Sequence, residues 1–158
     1  MPSPVDANVV NAFLAAAQEI LRTFVRESAV EGMRVADGPP PPPGVVVSIR
    51  LRGKLRGRIV WSFDPKVAKA LADGMGIAPT SIIGSPESLD ALGEVANLIA
   101  GNATGALSEA GYDVELSPPS TGPIGEEDDL PDKALAVTLR TPAGDVNVLF
   151  CLRPEAQS

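Results

Sequence analysis

Histidine is absent from the 158 residues, and cysteine occurs once, at Cys151. The first absence removes histidine-based nucleophile arrangements and imidazole metal sites; the second removes an internal disulfide and a thiolate zinc cluster. Bases are also scarce, 13 against 20 acids, so the chain carries a net charge of −7 and as a whole repels nucleic-acid backbones and anionic membrane surfaces. No apolar run approaches the ~20 residues of a membrane span. Met1 to Asn11 also lacks the basic residues that precede the apolar stretch of a secretory signal. The expectation is a cytoplasmic protein of one domain over 1–158, with neither nucleic acid nor membrane as partner.

Between Ala7 and Glu27, apolar residues recur at Val9, Phe13, Ala16, Ala17, Ile20, Leu21 and Phe24, the spacing of one buried helix face. Pro39 to Pro43 are five consecutive prolines, which lack amide donors and hold the chain extended, so 39–44 reads as a linker. A polyproline ligand for another module is the alternative. From Val45 to Phe63 the period changes to two: Val45, Val47, Ile49 and Leu51 share one side, as do Leu55, Ile59, Trp61 and Phe63, with Gly53 to Gly57 breaking the run. This is a β-hairpin. Arg50, Arg52, Arg56 and Arg58 fall near its tip and outer face, as a solvated edge that discourages strand aggregation or as a docking patch for an acidic partner.

Asp64 as cap and Pro65 in the first turn open a short helix that stops near Gly74 to Gly76. Ser85, Pro86 and Ser88 precede a long helical pattern running to about Gly111, followed by a short strand at Asp113 to Leu116. The segment 117–132 is proline-rich and then acidic; Glu126 to Asp129 could bind a cation, but ligands without turn-forming spacing read more simply as a solvated run. Ala134 to Thr141 and Asp145 to Leu152 close the chain as a second hairpin, with Cys151 as a packed or half-buried strand residue. A weak internal repeat matches Asn11, Ala12 and Phe13 to Asp90, Ala91 and Leu92, Ile20 to Ile99, and Asp64-Pro65 to Arg153-Pro154. The fold class that follows is α+β and pseudo-twofold, a largely antiparallel sheet carrying two long helices.

The second long helix, LDALGEVANLIAGNATGAL, gathers Leu92, Val95, Ala96, Ile99, Ala103, Ala106 and Leu107 on a core arc at ~100° per residue. Asp90, Glu94, Asn97, Gly101, Gly105 and Ser108 fall opposite, with Glu94 and Asn97 adjacent on one turn. Interior glycine costs about 0.8–1 kcal/mol relative to alanine, so Gly93, Gly101 and Gly105 together give up on the order of 2–3 kcal/mol of helix propensity. Either a partner backbone approaches that smooth strip, or the glycines pack an internal neighbour and the polar pair is an ordinary exposed turn. A chain with no histidine and no cysteine pair is poorly equipped to make a nucleophile, yet an amide can hold a water in line with a phosphorus atom, as glutamine does in GTPases. A carboxylate beside it can pair with a lysine or arginine of a phosphorylated partner, or help orient the water.

Asp90, Glu94 and Asn97, embedded in DALGEVANLIAGN, resemble the signature helix of the CheC, CheX and FliY chemotaxis phosphatases, and length and element order are most similar to the CheX branch. The resemblance implies a phosphatase acting on the phospho-aspartate of a CheY-type response regulator, with Glu94 bridging to a lysine of the regulator and Asn97 orienting water. It implies no cofactor bound by this chain, Mg2+ held by the receiver domain, and a homodimer formed through the sheets; the smooth strip at Gly101 and Gly105 is the expected partner-binding surface, together with Asp90, a motif member whose own role stays open. The repeat sets Asn11, Ala15 and Gln18 opposite Asp90, Glu94 and Asn97, so the first helix lacks the carboxylate and one site per chain is expected. The competing reading is a non-catalytic receiver-binding or flagellar-switch-like scaffold; a small-molecule enzyme is disfavoured by an exposed helical site with few ionisable groups.

Overall fold

The structure, a computed structural model, describes residues 7–25, 27–37, 45–53, 55–76, 86–121 and 133–154. The chain runs α1 (Ala7–Phe24), β1 (Ala29–Asp37), β2 (Val45–Gly53), β3 (Leu55–Phe63), α2 (Pro65–Gly74), α3 (Pro86–Glu109), β4 (Val114–Leu116), β5 (Ser120–Thr121), β6 (Lys133–Thr141) and β7 (Gly144–Pro154). All strands join one antiparallel sheet, ordered β1-β6-β7-β3-β2-β4, with β5 also paired to β2. Both expected hairpins, both long helices and the short helix are present. The proline run 39–43 and the acidic run 126–129 lie outside the described residues.

The strand order carries the repeat. Exchanging β1 with β4, β2 with β6 and β3 with β7 turns the order into its own reverse, as a twofold operation requires. The offset of 89 positions that relates Asp64 to Arg153 also relates Val60 to Leu149, and these two residues face each other across the central β3–β7 ladder. The pseudo-axis therefore passes through that pair. Trp61 and Phe150 share the same offset, and Phe13 of α1 packs against both rings, with centroids 6.2 and 6.5 Å away. Tilted and edge-on contacts of this kind favour aromatic pairs beyond simple area burial.

The main core lies between one face of the sheet and the helices: Val47, Ile49, Leu51, Ile59, Trp61, Phe63, Val146, Val148 and Phe150 meet Phe13, Ala17 and Leu21 of α1 and Leu92, Val95, Ala96 and Ile99 of α3. A smaller cluster, Val46, Val60, Ala134, Leu149 and Cys151, occupies the other face. Asp64 caps α2, its carboxylate accepting from the Lys66 amide at 2.8 Å. The end of α3 is closed by Tyr112 N–H donating to the Leu107 carbonyl and Gly111 N–H to that of Ser108, with Gly111 at φ +90°. That pair of bonds is the left-handed helix stop for which glycine is the natural residue. Asn8 of α1 donates to the Tyr112 hydroxyl at 3.2 Å, linking the start of one long helix to the stop of the other.

Four details differ from the sequence reading. α1 ends at Phe24 rather than near Glu27. Ala29–Asp37 forms a full edge strand where none was expected, because a register shift between Val30 and Gly32 interrupts the alternation, and Val30, Met33 and Val35 are exposed rather than turned to a core. The strand expected after α3 is β4, but a further short strand, β5, pairs with β2 inside the segment read as a proline-rich loop; Pro118 and Pro119, which have no amide to donate, separate the two. Among the hairpin arginines, Arg50, Arg52 and Arg56 are exposed as expected, whereas Arg58 is buried opposite Cys151, itself fully buried.

Candidate active site

The candidate residues all belong to α3. Its inner face is fixed by burial of Ala91, Leu92, Val95, Ala96, Ile99, Ala100, Ala103 and Leu107, which leaves one arc for solvent. Ala106, assigned by periodicity to the core, is exposed although its angle falls within the buried arc: it lies in the last turn of α3, which ends at Glu109. Asp90, Glu94, Asn97, Gly101 and Gly105 are exposed, and the helical period places all five within an arc of about 80°. The structure thus aligns every sequence-derived site residue on one strip. Its first three members project side chains, and its glycines leave the remainder smooth.

A Cβ built on Gly101 or Gly105 meets nothing within 4 Å among the described residues. No neighbour among the described residues therefore requires glycine there. Gly93 differs: it is buried, and a Cβ on it would lie 3.8 Å from Pro119 Cγ, an ordinary contact. Among the described residues, the side chains of Asp90, Glu94 and Asn97 have no hydrogen-bond or ion-pair partner. Their polar atoms are available to groups brought from outside. Thr104 is satisfied within the helix, donating to the Ala100 carbonyl at 2.7 Å.

The arrangement offers an anion and a neutral amide one turn apart on a rigid helix that is buttressed by α1 and the sheet. The exposed charges on α3, at Asp90, Glu94 and Glu109, are all negative, and the helix contains no lysine or arginine. Such a face attracts a basic surface and does not by itself bind a phosphate. No described helix is long and apolar enough to cross a membrane. Periodicity passed over Leu98, which is 38% exposed and one turn beyond Glu94 on the same flank; the signal that could have found it is its four-residue spacing from the carboxylate.

The equivalent surface of α1 carries no such pair. Asn11 and Ala15 are exposed, and Gln18 donates to the Ser28 carbonyl at 3.2 Å, engaged with its own chain.

The chain is similar to known proteins over most of its length. A curated relative, the CheY-P phosphatase CheX of Thermotoga maritima, is 28% identical over 148 residues, 87% of each chain. The crystal structure of the chemotaxis protein CheX from Desulfovibrio desulfuricans superposes with a TM-score of 0.77 at 25% identity, covering 92% of this chain and 99% of that one. A CheX–CheY complex with BeF3 and magnesium from Borrelia burgdorferi aligns with a TM-score of 0.64 at 25% identity, over 92% of this chain and 97% of that one. Residues 45–126, just over half of the chain and including the whole of α3, match the family described as chemotaxis phosphatase CheX; the chain belongs to that family.

Proposed function

We propose that this protein hydrolyses the phospho-aspartate of a CheY-type response regulator, with Asn97 orienting the attacking water and Glu94 docking the regulator. The observation that carries the reading is the exposure of Glu94 and Asn97 on one turn of α3, without partners among the described residues, in a member of the CheX family. The Thermotoga relative bears the activity in its name, and the Borrelia structure pairs a CheX with a CheY carrying BeF3, a stand-in for the phosphoryl group on its aspartate.

The reaction adds water to phosphorus and breaks the bond from phosphorus to the aspartate oxygen. The bonding pair leaves on the carboxylate, and the water protons pass to the phosphate product and solvent. An acyl phosphate is already activated, so positioning is the main contribution required of the protein. The Asn97 side-chain oxygen accepts from the water while its NH2 group donates to a phosphoryl oxygen. A neutral amide suits this place, since a carboxylate there would repel the phosphoryl charge. Glu94, one turn away, forms a charge-assisted pair with a lysine or arginine beside the regulator's phosphorylation site. Mg2+ belongs to the receiver domain, and Asp90, Gly101 and Gly105 complete the surface that meets it.

The test is phosphate release from a phosphorylated CheY-type receiver domain with Mg2+, with and without the protein. Asn97→Ala is expected to lower kcat ~10²-fold or more while the receiver is still bound. Glu94→Ala is expected to raise KM ~10-fold or more. Binding by the wild-type chain without acceleration of phosphate release would place it instead among non-catalytic receiver-binding scaffolds.

A further inference from the structure

Four large apolar side chains are exposed among the described residues: Val30, Met33 and Val35 on edge strand β1, and Leu98 on α3. A single exposed leucine on a helix is ordinary in itself. Leu98 is set apart by its surroundings. It lies one turn from Glu94 and adjoins Asn97, while Gly101 and Gly105, three and seven residues further along the same flank, leave open space around it. An isobutyl group therefore stands between bare backbone on its glycine side and the exposed Asn102, one turn on, on the other.

The internal repeat supplies a comparison within the same molecule. The offset of 79 positions that matches Asn11 to Asp90 places Glu19 opposite Leu98 and Arg22 opposite Gly101, and Glu19 and Arg22 are both exposed. The buried faces correspond as well: Phe13 with Leu92, Ala17 with Ala96, Ile20 with Ile99. Where the fold position carries no catalytic pair, it carries charge; where it carries the pair, it carries leucine and glycine.

We propose that Leu98 is a substrate-docking residue, inserting into an apolar recess of the receiver domain that lies next to the basic side chain paired with Glu94. The inference rests on the phosphatase reading above. Its occupant follows from the chemistry of the helix face, whose exposed charges are all negative: the complementary surface is basic with an apolar gap. Burying one leucine adds affinity without touching the reacting atoms, so it acts on KM and not on kcat.

Two measurements on Leu98→Ala, Leu98→Asp and Leu98→Met test this: affinity for a CheY-type receiver loaded with beryllofluoride and Mg2+, and steady-state phosphate release from the phosphorylated receiver. Leu98→Ala is expected to weaken binding and raise KM together by ~10-fold, Leu98→Asp by ~10²-fold, and Leu98→Met to retain near wild-type values, all with kcat within about twofold and an unchanged melting midpoint. Unchanged affinity in both Leu98→Ala and Leu98→Asp overturns the proposal, as does a fall in kcat at constant KM. If the wild-type chain binds the beryllofluoride form but releases no phosphate, the catalytic reading fails while the affinity series still decides the role of Leu98.

Discussion

α1 and α3 occupy equivalent positions in a pseudo-twofold fold and have been built to opposite priorities. Within its bounds α1 has no glycine, carries alanine at 15 and leucine at 14, and ends with Arg22 in its last turn, where a cation favours the helix dipole. α3 carries Gly93, Gly101 and Gly105, has no basic residue in its last turn, and presents Glu94 and Asn97 where α1 has Ala15 and Gln18. The buried faces of the two helices match position by position; the exposed faces do not. On the function proposed above, one copy of the scaffold carries the chemistry and the other favours intrinsic helix stability. The comparison therefore separates what the fold demands, which is common to both, from what the proposed reaction asks of α3 alone.

The strongest way to break that comparison is to move the pair. In a background with Glu94→Ala and Asn97→Ala, the graft Ala15→Glu with Gln18→Asn puts both groups on α1 at the same spacing. We expect the graft to leave phosphate release at least ~10²-fold below wild type. Exposed Glu19 and Arg22 stand where α3 has Leu98 and Gly101, so the grafted pair lacks a smooth surface for the receiver to approach. Adding Glu19→Leu and Arg22→Gly is expected to recover part of the loss. Full activity from the first graft alone would mean that the polar pair suffices and that the surroundings on α3 are incidental.

The parts of the molecule that could be read from sequence are those in which a single period persists. Phe13 to Phe24 and Leu92 to Ile99 keep the helical period because one side of each helix is buried throughout, and Val47 to Leu51 and Ile59 to Phe63 keep the strand period for the same reason. Asp64 and Pro65 were legible because capping is local chemistry. β1 was not, since its alternation slips at Val30 and Gly32 and its apolar side chains are not committed to the core. The alignment of Glu94 with Asn97 followed from spacing alone. That Gly101 and Gly105 face open space, and that Leu98 stands beside them, depends on what lies nearby in three dimensions.

A second difference between the halves lies on the sheet. The offset of 89 positions makes Ser62 in β3 the repeat counterpart of Cys151 in β7, and both are buried. Burial pushes the Cys151 thiol up to about 11 from 9.0, with the Arg58 guanidinium opposing the change. An unfolded chain ionises this thiol near pH 9 while the folded chain keeps it protonated, so the stabilisation is complete below pH 9 and is lost as pH rises toward 11. A displacement of that size is worth about 2–3 kcal/mol. Denaturant titrations at pH 8 and pH 11 are expected to show this decline in wild type and a smaller one in Cys151→Ala. Equal declines in the two proteins would show that other groups set the alkaline limit. Ser62, which does not titrate in this range, makes no such contribution, so the two halves respond differently to alkali.

The finest test of the comparison concerns the glycines of α3. Gly101→Ala and Gly105→Ala each place a methyl group in open space on an exposed helix face, so each is expected to add about 0.8–1 kcal/mol of stability. For a chain of this size that is about 2–4 °C in melting midpoint. Gly93→Ala is expected to stabilise by a similar amount, because its Cβ would meet Pro119 Cγ at an ordinary 3.8 Å. The three substitutions diverge in function. The methyl groups at 101 and 105 stand on the strip proposed to meet the receiver and are expected to raise KM by roughly threefold or more, whereas the methyl group at 93 lies on the buried side and is expected to leave KM unchanged. If all three variants gain stability and none changes KM, the glycines are not kept for docking, and the contrast between α1 and α3 reduces to Glu94, Asn97 and Leu98. If stability and affinity instead move in opposite directions only at 101 and 105, the unfavourable helix propensity of α3 is the cost of leaving room for its substrate.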